Sequence, residues 1–143
     1  MISASDAVTS TLLFPHAPMS VYDARQAVRR DLVDHGVPAP ACDAAVLVVS
    51  EILSNALKHA RPLQSGLQSG KVALSWAVGD DAVRVAVRDG GSPTRPRLGT
   101  APASATGGRG LSIVRELADD WGVSDEAGET VVWAVVPCAG SAL

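Results

Sequence analysis

The chain has 143 residues, 47% of them hydrophobic and 19% charged; that is the composition of one globular domain with a core, and it excludes a disordered chain. Twelve Lys and Arg against 15 Asp and Glu leave a net charge of −3 with no basic stripe, which argues against direct nucleic-acid binding. No apolar run approaches the roughly 20 residues of a membrane span, no charged n-region precedes an apolar h-region, and Cys42 and Cys138 lack metal-ligand spacing; two free thiols in a reducing cytoplasm is the plainer reading, with a disulfide between them the alternative.

Residues 1–10 are small and polar and read as a flexible tail, and Thr11 to Phe14 as a short strand before Pro15. Pro18 to Gly36 reads as a helix. Ser20 is its expected cap, Val21, Ala24, Val28 and Leu32 its inner stripe, and Gly36 its stop. Arg25, Arg29 and Arg30 then lie outward or obliquely, on a solvated face or, alternatively, a partner-docking surface. Pro38 and Pro40 lead into the central stretch, Ala39 to Arg61. There Ala45, Val48, Val49, Ile52, Leu53, Ala56, Leu57 and Ala60 recur at three- and four-residue steps, an amphipathic helix of about four turns. Asp43 is expected in its first turn, where a negative charge suits the helix dipole.

Pro62 stops that helix. Leu63-Gln64-Ser65-Gly66 is then repeated as Leu67-Gln68-Ser69-Gly70, a lengthened loop to which no chemistry is assigned. Val72, Leu74, Trp76 and Val78 alternate, Gly79-Asp80-Asp81 turns, and Val83, Val85 and Val87 alternate again. This predicts a hairpin with one buried face. From Ser92 to Thr106 the core-facing pattern disappears, as in a lid. A helix follows Gly107-Gly108-Arg109-Gly110, with Leu111, Val114, Leu117, Ala118 and Trp121 as its stripe. Two strands, Trp121 to Ser124 and Thr130 to Val136, close the domain, and residues 138–143 read as a second tail. The order predicts an α+β two-layer sandwich: a mostly antiparallel sheet with about three helices on one face, over residues 11–137.

Three clusters invite a chemical reading. Glu51, Asn55 and His59 stand four residues apart, so at about 100° per residue they form one row at the edge of the apolar stripe. Taken alone, the row is either a site or a solvated margin. Asp89 emerges at a strand end, where a carboxylate can accept from a ligand's amino group, and Gly90 and Gly91 leave room for a flat ring. An ordinary Asp-Gly turn looks the same. Gly107 to Gly110 precede a helix whose unpaired N–H groups attract phosphate, with Arg109 able to add a charged contact. Flexible loop glycines have that composition too.

The order of the three clusters separates these readings. A helix carries Glu51-x-x-x-Asn55, a strand end carries Asp89-x-Gly91, and after a lid Gly108-x-Gly110-Leu111 opens a helix. In this arrangement the chain resembles the GHKL (Bergerat-fold) ATP-binding superfamily over nearly its whole length. LVVSEILSNALKHA and GGRGLSIVRELADDWGV are similar to the short stand-alone anti-sigma-factor serine/threonine kinases of bacterial partner-switching systems. The resemblance implies ATP and Mg²⁺. It makes Asn55 the Mg²⁺ ligand and Glu51 the general base. Asp89, with Gly91 beside it, would hold adenine, and Thr130 would lie near the base. Gly107, Gly108, Arg109, Gly110 and Leu111 would follow the phosphates. His59 is placed with the nucleotide or packed against a neighbour; Lys58 reads as solvated. The implied partners are a sigma factor, an anti-anti-sigma protein of STAS type and a second copy of the chain.

The sequence departs from the family pattern at Pro93, which stands where the first glycine box commonly ends in Gly; a stiffer lid entry and weaker nucleotide binding are expected. The alternative function is a non-catalytic protein-binding module that responds to nucleotide or does without it. Pro93 favours that alternative and Glu51 disfavours it.

Overall fold

In the computed structural model, residues 8–92 and 108–138 are described. The expected lid with Pro93, Gly107 and the residues after 138 lie outside them. The elements are β1 (Val8–Pro15), α1 (Met19–Asp34), α2 (Ala39–His59), a 3₁₀ turn (Gly66–Gln68), β2 (Lys71–Val78), β3 (Ala82–Asp89), α3 (Gly108–Leu117), β4 (Asp120–Glu126) and β5 (Glu129–Pro137). The sheet order is β1-β2-β3-β5-β4, and each neighbouring pair is antiparallel. The fold is the expected α+β sandwich.

Period 2 explains the sheet. Val72, Leu74, Trp76 and Val78 of β2, Val83, Val85 and Val87 of β3, and Val132, Ala134 and Val136 of β5 are all buried in one core with the helices. Their strand neighbours point to the opposite face. There the Arg84 guanidinium lies 5.2 Å from the Trp133 ring centroid, and Arg88 pairs with Glu129 at 2.9 Å. β1 begins at Val8 rather than Thr11 because its ladder with β2 runs from Val8 opposite Val78 to Pro15 opposite Lys71. A partner strand with free edge groups extends a strand past its apolar pattern.

Period 3.6 explains the helices. Ala24, Val28 and Leu32 bury one face of α1. The expected Ser20 cap does not form. Ser20 is buried, and its hydroxyl donates to the Pro15 carbonyl at 2.6 Å, tying α1 back to β1. At the other end Gly36 takes φ +77, with its N–H on the Val33 carbonyl and that of Val37 on the Leu32 carbonyl. This paired arrangement is the Schellman motif, which favours glycine. Asp43 does not sit in the first turn of α2, since that helix starts at Ala39. It accepts from Arg29 of α1 at 2.9 Å instead, so Arg29 bridges the two helices and is not merely solvated.

α2 has the length and composition of a membrane-crossing helix, but half of that window is buried inside the protein. Its stripe meets α1, α3, β3 and β5. The tandem repeat splits by packing. Leu63 is fully buried while Leu67 is 93% exposed, so one copy anchors the loop and the other projects. Both cysteines are free thiols, as expected, and burial pushes each up from its ordinary value.

The β4–β5 connection is a two-residue hairpin, Ala127-Gly128, between the paired Glu126 and Glu129. Both residues have positive φ, 52° and 83°, as a type I′ turn demands. Alanine is strained there. Replacing Ala127→Asn is expected to stabilise the fold by about 0.5–1 kcal/mol, read as a higher urea midpoint at unchanged slope; a lower midpoint contradicts this account of the turn.

Candidate functional site

Three elements converge at one end of the sheet. Asn55 and His59 come from the polar margin of α2, Asp89 from the last position of β3, and Thr130 from the second position of β5, directly opposite Asp89 in the ladder. Together with Ile52, Ala56, Ala60, Ser92 and Val132 they line a cleft of about 270 Å³, counting the space open to solvent. Among its polar members Asp89 and Thr130 are buried, Asn55 and Ser92 half-buried and His59 exposed.

Asp89 is 2% exposed. Its Oδ1 accepts from the Gly91 N–H at 2.8 Å. Burial pushes its carboxyl above the ordinary 3.8, while the Gly91 hydrogen bond and nearby His16 pull it down and Glu129 adds a small upward push. Among the described residues this carboxyl is taken out of water without a full ion pair, which is common where a ligand is bound.

Gly90 and Gly91 hold this carboxyl in place. The Gly90 N–H donates to the Arg61 carbonyl at 2.7 Å, and the Arg61 N–H to the Gly91 carbonyl at 2.9 Å. The segment after α2 therefore runs against the Asp89 turn, and a Cβ at Gly90 would collide with the Pro62 carbonyl. Gly91 has φ +91, and a Cβ on it would meet the Gly128 carbonyl at 2.6 Å. Two more bonds brace the junction. The Ser92 hydroxyl donates to the His59 carbonyl at 2.8 Å. His16 Nε2 lies 2.9 Å from the Ala60 carbonyl; a carbonyl only accepts, so this nitrogen carries the proton.

On the far side of the turn lies a second, larger and more polar cavity of about 490 Å³, likewise counting the space open to solvent, lined by Arg61, Gly90, Gly91, Ser92, Asp125, Gly128, Glu129 and Thr130. Thr130 lines both spaces, and its hydroxyl donates to Asp125 Oδ1 at 2.8 Å.

Residues 14–136 match the family described as the histidine kinase-like ATPase domain. The chain belongs to that family. ATP is therefore the ligand its membership implies. The solved RsbU and RsbW domains of Rv1364c from Mycobacterium tuberculosis are similar to it, with a TM-score of 0.66 and 18% identity over 90% of this chain and 32% of that one. At that identity the likeness is one of fold. This chain spans about a third of that solved chain. No curated protein matches the chain by sequence.

Within this ATPase domain the structure brings together Asn55, His59, Asp89 and Thr130. Gly91 shapes the turn from the second cavity. Glu51 is half-buried one turn before Asn55, outside the cleft lining. Gly108, Arg109, Gly110 and Leu111 form the opening of α3, which packs against α2; Gly107 lies outside the described residues. Among the described residues no group of three or more acidic, His or Cys side chains could hold a metal. A magnesium ion held through Asn55 would need phosphate oxygens and water for its remaining positions, which is the chemistry of an ion that arrives with a nucleotide.

Sequence reasoning missed Ser92, His16 and Asp125. Ser92 and His16 act through backbone carbonyls of α2, which no side-chain pattern reveals. Asp125 was findable from hairpin register, since a two-residue turn at Ala127-Gly128 pairs it with Thr130.

The position of Asp89 has a stability consequence. Its folded carboxyl holds a proton more tightly than the unfolded one, so folding takes up protons between the two values. Its contribution is fully present below about 3.8 and is lost as pH rises through the folded value. Asp89→Asn keeps an oxygen for the Gly91 N–H. The variant is expected to melt higher than the parent at neutral pH, with the gap closing as pH falls toward the ordinary carboxylate range. A variant that melts lower at neutral pH contradicts this assignment.

Proposed function

We propose that the chain is an ATP-dependent serine/threonine protein kinase of the anti-sigma-factor type. It binds a sigma factor and phosphorylates an anti-anti-sigma protein of STAS type in the cytoplasm. The observation that carries this reading is the convergence of Asn55, Asp89 and Thr130, from three separate elements, on one cleft in a histidine kinase-like ATPase domain.

In this reading Asp89 accepts from the exocyclic amine of adenine, and Ile52, Ala56 and Val132 pack against the ring. Asn55 holds Mg²⁺ through its side-chain oxygen; the ion, when bound, neutralises charge on the phosphate oxygens. The phosphates run toward the opening of α3, where Gly108 and Gly110 let unpaired backbone N–H groups approach them and Arg109 adds a charge. Glu51 takes the proton from the incoming serine hydroxyl as its oxygen bonds to the γ-phosphorus and the bond to the β-phosphate oxygen breaks. A base needs a path to the incoming hydroxyl, so a place beside the cleft instead of in its floor suits Glu51.

The partner reading draws on the family and on the RsbU–RsbW architecture of the similar solved structure. Dimerisation is supported by β1, an edge strand paired only to β2 among the described strands, with Leu12 and Leu13 partly exposed on it and Met19 and Tyr22 exposed just beyond. Such an edge is a template for a second chain.

Calorimetric titration with Mg·ATP tests the nucleotide half. The parent is expected to bind, and Asn55→Ala to lose about tenfold or more of its magnesium-dependent affinity, roughly 1.4 kcal/mol. Glu51→Gln is expected to bind ATP like the parent and to transfer labelled phosphate to a STAS partner about 10²–10⁴-fold more slowly. Absence of ATP binding by the parent rejects the reading. Unimpaired transfer by Glu51→Gln removes Glu51 from the role of base.

A further inference from the structure

Two oxygen-bearing side chains that line the cleft, Asp89 and Thr130, are buried, and both have their hydrogen-bond roles set by neighbours. A carboxylate offers only lone pairs, so Asp89 accepts from Gly91 and can only accept from a ligand. A threonine hydroxyl has one proton and two lone pairs. In Thr130 that proton points to Asp125 Oδ1 at 2.8 Å, across the β4–β5 hairpin where the two residues are a register pair. Thr130 is 6% exposed and Asp125 lies on the other side of it, in the second cavity and not in the cleft.

We propose that Asp125 is a positioning residue for base selection: by taking the Thr130 hydroxyl proton it leaves the floor of the cleft with acceptors only, so the site accepts a 6-aminopurine and rejects a 6-oxopurine. The inference rests on the nucleotide reading above and adds to it a residue that does not touch the base. An exocyclic amine brings two N–H donors to such a floor. With Asp89 and Thr130 both facing the 6-position, a 6-oxo group sets a third acceptor against them, and the donor it gains, the proton on the adjoining ring nitrogen, sits one ring position away and not between those lone pairs. A threonine without Asp125 is free to turn its proton inward and donate to that oxo group. The discrimination therefore depends on the Asp125 contact, and the hydroxyl alone does not supply it.

The test compares the affinities of Mg·ATP and Mg·ITP, which differ at the 6-position and its adjoining ring proton, for the parent chain and for Asp125→Ala, Thr130→Val and the double variant, each checked for folding by its melting curve. The parent is expected to favour ATP by at least about tenfold, and Asp125→Ala to lower that ratio about tenfold, chiefly through tighter ITP binding. In the Thr130→Val background, Asp125→Ala is expected to leave the ratio unchanged, because no hydroxyl remains to reorient. An unchanged ratio in Asp125→Ala, with ATP bound normally by the parent, overturns the role of Asp125 and leaves the nucleotide reading intact. A change that persists in the Thr130→Val background also overturns it, since Asp125 would then act by another route. A parent that binds neither nucleotide overturns both readings together.

Discussion

A carboxyl group almost wholly out of water, without an ion pair among the described residues to match its charge, is the constraint around which this domain is arranged. Asp89 ends a strand whose valines at 83, 85 and 87 face the core, and its backbone is paired with Thr130 of β5 in the ladder. The turn after it is held by the exchange of hydrogen bonds with Arg61, which only glycine at position 90 allows. Desolvating such a group costs stability. Folds keep that cost where a ligand's donors replace the lost water.

The rest of the architecture follows from the need to place groups beside that carboxyl. α2 does two jobs with one periodicity. Ala45, Val48, Val49, Ile52 and Leu53 bury its inner face, which fixes its rotation. Asn55 and His59 then necessarily fall at the cleft margin. The C-terminal end of α2 is pinned by His16 from the β1–α1 connection, by Ser92 and by the Arg61 backbone, so helix, turn and sheet cannot shift independently. Thr130 is brought opposite Asp89 by the antiparallel β3–β5 register, and Asp125 opposite Thr130 by the tight hairpin. A slip of one residue in either ladder would send these side chains to the other face of the sheet.

The period of each element was legible in the residues, because burial imposes it. The alternations in β2 and β3 and the stripe of α2 led to the right elements in the right order, and Asp89 was readable as the residue where alternation gives way to glycine. What could not be read depends on distant partners. Ser20 has the composition of a helix cap, yet a carbonyl at Pro15 claims its hydroxyl. Asp43 looks like a dipole-compensating residue, and Arg29 on another helix claims it. The two copies of Leu-Gln-Ser-Gly are identical in sequence, and only packing decides that Leu63 is buried and Leu67 is not. Gly90 looked permissive for a ligand ring; its structural demand comes from the Pro62 carbonyl, which no local pattern brings near it. The link from Asp125 to Thr130 needed the hairpin register, which the turn residues Ala127-Gly128 encode only weakly because alanine is a poor occupant of positive φ.

The central claim is that the cleft between α2 and the β3–β5 strand ends is where an adenine nucleotide lodges. Backbone amide resonances of the uniformly labelled protein, followed during addition of Mg·ATP, test it most directly. The account predicts saturable shifts concentrated at Asn55, Gly91, Ser92, Thr130 and the first turn of α3, with Trp133 and Val135 on the opposite sheet face unmoved. Shifts confined to that opposite face, or none at millimolar nucleotide, would contradict it.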